Sequence, residues 1–323
     1  METKTNTLND GTPKLIIIVG PTGVGKTELA IKLATLYGGE IISADSMQVY
    51  RYMDIGTAKP SFEEMRAIRH HLIGIVNPDE KFNAALFIEK AHSVIEQLQT
   101  TGTRIFVVGG TGLYIRALLG GLFEGPGALN ELRESYMRDL QNFGSEYLYR
   151  KLQKTDRMAA GQIHPHDTVR IMRALEVYES TGKSIITHQD VHRFGEQKYE
   201  YIALGLTMNR SLLYERTDAR VDRMIKCGLV DEVAHLLEMG YDVTLKPMQS
   251  MCYRYIVDYL SGFRDINDAI HNIKRDTRHY AKRQLTWFNK DANIRWFHPD
   301  DTSSIRNELN GFLHIGCSQC MVP

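Results

Sequence analysis

The apolar run Leu15-Ile-Ile-Ile-Val19 leads straight into a glycine-rich segment, and this junction constrains the chain more than anything else in it. Consecutive branched aliphatic residues of that length suit a strand buried on both faces. The eight residues that follow, Gly20, Pro21, Thr22, Gly23, Val24, Gly25, Lys26 and Thr27, fit the pattern GxxxxGK[ST] in full. Glycines let backbone amides curl around a phosphate, and the N-terminus of the next helix adds its partial positive charge. Lys26 would reach a terminal phosphate and Thr27 would hold Mg²⁺. Leu29, Leu33 and Leu36 then recur at helical spacing until Gly38-Gly39 stops the helix. Strand, loop and helix stand in the order the motif needs, so a phosphorylated ligand is expected on residues 20–27.

The same alternation continues downstream. A second strand, Glu40 to Ala44, delivers Asp45-Ser-Met-Gln-Val-Tyr50 and places Asp45 beside the phosphate loop. A helix beginning near Asn83 turns Leu86, Ile88, Ala91, Ile95 and Leu98 inward, and a third strand, Arg104 to Val108, opens into Gly109-Gly-Thr-Gly-Leu-Tyr114. This β-α-β-α-β order predicts a parallel α/β sheet with its ligands at the C-terminal ends of the strands. The character changes at Gly120-Gly-Leu-Phe-Glu-Gly-Pro-Gly127. Patterns are helical from there to about Ser184, and Tyr201 to Thr207 reads as a strand returning to the sheet. The expected fold is α/β, a P-loop NTPase-like parallel sheet flanked by helices over 14–122 and 200–315. An all-helical domain is inserted at 123–199, and long helices over 211–238 and 268–289 follow. Residues 1–13 and 316–323 are expected to be tails.

Composition excludes several classes. With 323 residues, 24% charged and 43% hydrophobic, wholesale disorder is out. Equal counts of 39 basic and 39 acidic side chains exclude a uniformly basic coat but not a local basic surface. No apolar run approaches the ~18 residues of a membrane span, and the N-terminus has neither the basic start nor the apolar stretch of a secretory signal. Four cysteines are too few for a disulfide scaffold. A soluble, cytoplasmic monomer with no membrane partner is expected.

An ordinary P-loop ATPase ends a later strand with a Mg²⁺-holding Asp. Here the third strand ends in Gly109-Gly110-Thr111, so the available carboxylate is Asp45. It could serve as a general base, as an outer ligand of Mg²⁺ or as a helix cap; on the residues alone, base and cap stand level. Arg216, Arg220 and Arg223 share one helical face, which a solvated basic stripe would also explain.

The segments GPTGVGKT (20–27), DSMQVY (45–50), DIGTAKP (54–60), HHLI (70–73), GGTGLY (109–114), IHPHD (163–167), RALEVYESTGK (173–183) and RQLTWF (283–288) together resemble the tRNA dimethylallyltransferases. They run in order over almost the whole chain. The resemblance implies transfer of a dimethylallyl group from dimethylallyl diphosphate to the exocyclic N6 of the adenosine 3′ to a tRNA anticodon, position 37. It also explains the missing carboxylate, since the phosphate loop would hold a diphosphate leaving group with Mg²⁺ rather than ATP. Adenine N6 is a weak nucleophile whose lone pair is delocalised into the ring, so Asp45 rises as the base. Thr22, Lys26 and Arg216, and less directly Arg220, would act on the diphosphate, while Arg223 reads as surface.

Residues 270–295 hold seven basic residues against two acidic ones, with Lys274, Arg278 and Lys282 on one helical face. Against a neutral background such a stripe suits a phosphate backbone. Gln284 resembles a family residue near the reaction site, and Trp287 beside Phe288 reads as a core tryptophan. The resemblance also implies anticodon stem-loop contacts from Asp45, Ser46, Met47 and Gln48, from Val169, Arg170, Ile171, Met172 and Arg173, and from Thr111 and Arg133. The target base would leave its stack to reach Asp45. His70, His71, His164, His166, His188 and His192 lack the spacing of a metal site, and Cys317 with Cys320 has no second cysteine pair. The chain departs from the family at Gly74, at His166 in HPHD and at Ser250-Met-Cys-Tyr-Arg254. Competing readings are an isopentenyltransferase of free adenine nucleotides, a small-metabolite P-loop kinase and a nucleotide-gated RNA-binding module. The insertion and the basic helix argue against the first, and the missing carboxylate against the second. An essential Asp45 would argue against the third.

Overall fold

The computed structural model of the protein describes residues 12–122, 130–192 and 198–315. Of the expected tails, residues 1–11 and 316–323, with the Cys317/Cys320 pair, lie outside the described residues. Elements run in the order β1 (Lys14–Val19), α1 (Lys26–Tyr37), β2 (Gly39–Ser43), α2 (Phe62–Ala67), β3 (His70–His71), α3 (Ala84–Thr100), β4 (Arg104–Gly109), α4 (Gly112–Gly120), α5 (Asn130–Thr155), α6 (Arg157–Ala160), α7 (Thr168–Thr181), α8 (Ile185–His192), β5 (Glu200–Leu206), α9 (Arg210–Lys226), α10 (Leu229–Glu238), α11 (Met251–Leu260), α12 (Ile266–Phe288), β6 (Ile294–Phe297) and α13 (Thr302–Leu313). No helix among the described residues is long and apolar enough to cross a membrane.

The six strands form one parallel sheet in the order β3-β2-β4-β1-β5-β6. Leu15 to Val19 are all buried, as a central parallel strand covered on both faces requires. One face packs Ile16, Ile18, Phe106, Leu204 and Leu206 against Leu33 of α1 and Ile305 and Leu309 of α13. The chain divides into two compact units, one up to Leu118 and from Lys198 onward, the other Leu119–Gln197. The second has an apolar core of its own, in which Tyr136, Leu148 and Leu152 of α5 meet Ile171, Met172 and Leu175 of α7.

Several local expectations change. β4 lies between β1 and β2, so Asp45 is one strand removed from the phosphate loop rather than next to it. The helix over 211–238 breaks at Cys227-Gly228, because Gly228 takes a left-handed conformation (φ 98°) that only glycine adopts freely. The two-residue β3 and four-residue β6 carry too few residues to show a period, and neither they nor the ten-residue α11 was anticipated. In α3 Ala91, Ile95 and Leu98 are buried as expected, but in the first turn it is Phe87 that is buried, with Leu86 and Ile88 half-buried; in α1 Leu36 is 52% exposed. Trp287, expected in the core, is 37% exposed while Phe288 is buried.

Candidate active site

The strand order puts one cleft of about 350 Å³ at the C-terminal ends of β1, β2 and β4. It is lined by phosphate-loop residues Thr22, Gly23, Gly25, Lys26 and Thr27, by Asp45 and Gln48 after β2, and by Gly109 and Gly110 at the end of β4. Arg216, Arg220 and Arg223 of α9 and Tyr280 and Gln284 of α12 also line it, as do Thr57 and the carboxylates Glu28 and Glu64. Arg223, expected at the surface, therefore faces the site as well.

The phosphate loop holds its shape through Gly23 (φ 82°) and Gly25 (φ 104°), the latter acting as N-cap of α1 without any side chain in the way. Lys26 Nζ donates to the carbonyls of Gly20 and Pro21 at 2.9 and 2.8 Å. Burial, with Arg220 nearby, lowers its ammonium to about 7, and Asp45 partly opposes this. Arg220 Nη1 donates to Thr22 Oγ1 at 2.9 Å, which carries a second cation onto the loop from α9. Arg216 stands on the same face of α9, four residues earlier. Convergent amides, an ammonium and three guanidinium groups make this wall a receptor for a multiply charged anion.

The opposite wall is set by Asp45. Its Oδ1 accepts the backbone N–H of Met47 at 2.8 Å and of Gln48 at 3.3 Å, so the carboxylate caps the turn that follows β2 while facing the cleft. Ser46 N–H donates to Thr111 Oγ1 at 3.1 Å, tying that turn to the segment after β4. Gln284 bridges the two walls: its Oε1 accepts Thr22 N–H at 2.8 Å and its Nε2 donates to the Gly110 carbonyl at 2.9 Å. Tyr280 lies one turn before Gln284 on α12, its hydroxyl near Thr111 and Gln284; burial, then Asp45, raises its pKa. Spacing from Gln284 was the signal that could have found it. The tyrosines of DSMQVY and GGTGLY stand behind the site. Tyr50 and Tyr114 are buried, and Tyr114 stacks on Phe87 at 4.4 Å.

The glycines at the tip of β4 explain why no carboxylate stands there. A Cβ on Gly109 would collide with the carbonyl oxygen of Ala44, and one on Gly110 with Gln284 Nε2. A side chain at either position would push Asp45 or Gln284 out of place.

The basic stripe of α12 is partly committed within the protein. Arg278 Nη1 donates to both carboxylate oxygens of Asp218 of α9 at 2.7 and 2.6 Å, and Lys274 pairs with Asp222 at 2.6 Å; Lys282 is exposed. In the helical unit, Glu176 is buried and accepts Arg133 Nε at 2.8 Å, with Arg173 at 3.4 Å. Asp167 caps α7 through Arg170 N–H, and Val169 and Arg170 are exposed there, whereas Ile171 and Met172 belong to the core. His71 bonds Glu40 at 2.6 Å, and no three His, Cys, Asp or Glu side chains cluster as a metal site among the described residues.

The IPP transferase family matches residues 48–291. The chain is 54% identical over 301 residues to a tRNA dimethylallyltransferase 2 of Syntrophus aciditrophicus, covering 93% of this chain and 97% of that protein. A tRNA dimethylallyltransferase of Geobacter metallireducens is 48% identical, over 93% and 98% of the two chains. Among solved structures, the tRNA isopentenylpyrophosphate transferase of Bacillus halodurans superposes with a TM-score of 0.69 at 40% identity, over 94% and 97%. A eukaryotic dimethylallyltransferase described as acting on tRNA gives 0.76 at 28%, over 95% and 81%. With the family match spanning most of its length and relatives of such identity matched nearly end to end, the chain belongs to the tRNA dimethylallyltransferase (IPP transferase) family, whose members are prenyl-transferring enzymes.

Proposed function

We propose that this protein moves the dimethylallyl group of dimethylallyl diphosphate onto N6 of the adenosine 3′ to a tRNA anticodon, releasing diphosphate. The observation that carries the reading is the cleft itself, where an anion-binding wall of Lys26, Arg216, Arg220 and the loop amides faces the Asp45 carboxylate. An anion receptor opposite the Asp45 carboxylate suits a displacement in which negative charge grows on one side and a proton leaves on the other.

The diphosphate occupies residues 20–27, with Thr22, Arg216 and Arg220 within the same cleft to bind its oxygens. As the allylic carbon–oxygen bond breaks, the electron pair goes to the diphosphate, whose charge the loop amides, Lys26 and the arginines stabilise. N6 attacks the allylic carbon, and Asp45 takes the N6 proton as the carbon–nitrogen bond forms. The amides of Met47 and Gln48 hold the carboxylate in one orientation for this. Thr27 presents a hard hydroxyl donor to the cleft. Together with diphosphate oxygens and water it fits Mg²⁺, which asks few ligands of the protein. Bound there, Mg²⁺ would supply further neutralisation of leaving-group charge.

On the RNA side, Gln48 lines the cleft, Ser46, Met47 and Thr111 stand on the turns beside it, and Lys282 offers contact to the RNA backbone. Lys274, Arg278, Arg133 and Arg173 contact RNA only by sharing or exchanging their present carboxylates. The helical unit meets the anticodon stem-loop through Val169 and Arg170. The reaction belongs in the cytoplasm, with the tRNA pool. Incubation with unmodified tRNA, Mg²⁺ and labelled dimethylallyl diphosphate, and separately with γ-labelled ATP, tests the reading. Label passing from the prenyl donor into tRNA with ATP inert is expected; label passing only from ATP refutes it.

A further inference from the structure

DIGTAKP, a segment the mechanism above leaves without a task, is held by a carboxylate outside the cleft. Glu232, in the first turn of α10, accepts the backbone N–H groups of Asp54 and Ile55 on Oε2, both at 2.7 Å. Its Oε1 accepts Gly56 N–H at 3.0 Å and the Tyr253 hydroxyl at 2.6 Å. Three successive amides converging on one point form an anion nest, and here the chain fills it with its own side chain. Tyr253 is fully buried, and its ring takes the space over Gly56, where a Cβ would come within 2.6 Å of the ring. The loop needs such an anchor, since Tyr52 (φ 63°) and Ala58 (φ 50°) both sit in the left-handed region that side chains disfavour.

From this anchor the loop reaches the site. Gln48 Nε2 donates to the carbonyls of Ala58 and Thr57 at 3.0 and 3.4 Å, and Ser43 Oγ donates to Gln48 Oε1 at 3.0 Å. The Lys59 ammonium joins Asp54 to the Tyr50 carbonyl, each at 2.5 Å. Gln48 and Thr57 line the cleft, Gln48 N–H also donates to Asp45, and Glu232 is not among the lining residues.

We propose that Glu232 with Tyr253 is a latch that positions the acceptor side of the site: it fixes residues 54–58, which fix Gln48 against Asp45, and leaves the phosphate loop untouched. The proposal rests on reading the cleft as a prenyl-transfer site. In Glu232→Gln the amide oxygen keeps the Asp54 and Ile55 N–H groups, the new NH2 faces the Gly56 N–H and loses that bond, and the Tyr253 hydroxyl must turn round to accept; the charge of the anchor is lost with it. The expected result is a tRNA KM raised about tenfold, consistent with loss of charge-assisted bonds, with the KM for dimethylallyl diphosphate within about twofold of wild type. Amide hydrogen exchange at residues 54–56 accelerates in parallel. Tyr253→Phe keeps the nest, loses one bond and shifts the tRNA KM about threefold in the same direction. It carries the test alone if Glu232→Gln does not fold. A merely structural role would lower kcat through the active fraction and leave both KM values alone, so that pattern overturns the latch, as does a donor KM that rises in step. Transfer by the wild type with both variants unaltered refutes the latch only. No transfer by the wild type refutes the reading of the site.

Discussion

Replacing Lys26 by arginine separates two sources of positive charge in the cleft, because only the lysine can lose its proton near neutrality. Its ammonium is lowered to about 7 by burial and by Arg220, with Asp45 pulling the other way. A bound diphosphate favours the charged form, so above that value each bound anion brings a proton in with it. Linkage then makes apparent affinity fall about tenfold per pH unit, or roughly 1.4 kcal/mol, which is about a hundredfold between pH 7 and 9. Calorimetric titration of dimethylallyl diphosphate in two buffers of different ionisation heat measures that proton uptake directly. It should be small at pH 6 and close to one proton per site by pH 8.5. Lys26→Arg should show no uptake and a flat affinity across the range. The same displacement has a stability counterpart: between about 7 and the ordinary lysine value of 10.5 the unfolded chain binds more protons than the folded one. Stability therefore rises with pH through that window, and Lys26→Met removes the rise. Absence of proton uptake in the wild type at pH 8.5, or equal uptake in Lys26→Arg, refutes the reasoning.

Asp45→Asn keeps an acceptor for the Met47 and Gln48 amides and so separates base from cap. Turnover should fall by about 10²–10⁴ with an unchanged melting temperature and diphosphate affinity no weaker than wild type, and normal turnover would sink the base assignment. Arg133→Ala leaves the buried Glu176 with Arg173 as its remaining cation, and thermal melting should show a loss of about 1–2 kcal/mol. Lys282→Ala should make tRNA binding less salt-sensitive, by about one unit in the log–log slope. Arg278→Ala should instead cost about 1 kcal/mol of stability by releasing Asp218, leaving the slope nearly unchanged; equal slopes for the two variants would contradict that division.

The parts of the fold that could be read in advance are those with long or patterned signals. β1 with its glycine loop, β2, β4, β5 and the amphipathic α3 and α12 each announce themselves by period or motif. The two-residue β3 and four-residue β6 do not, because their existence depends on sheet edges offered by β2 and β5. Cleft-lining residues could be placed in advance where a motif carries them, as with Thr22, Gly23 and Gly25 to Thr27, whereas Gln284 came only from the family resemblance. The site was obscure where tertiary pairing decides. The ion pairs of Lys274 and Arg278 depend on how α9 packs on α12, and Arg223 and Tyr280 are brought to the cleft by that same packing. Asp45 acts as cap and faces the cleft at once, which a list of alternatives keeps apart.

The bare tip of β4 has an evolutionary reach. In a nucleotide hydrolase the corresponding strand end can receive an acidic residue by simple substitution. In this protein Gly109→Asp would thrust a side chain into the Ala44 carbonyl, and Gly110→Asp would displace Gln284. Any drift toward a nucleotide-hydrolysing metal site thus dismantles the acceptor wall before the new ligand can be useful. The two chemistries are separated here by volume, and no single substitution at that strand end connects them.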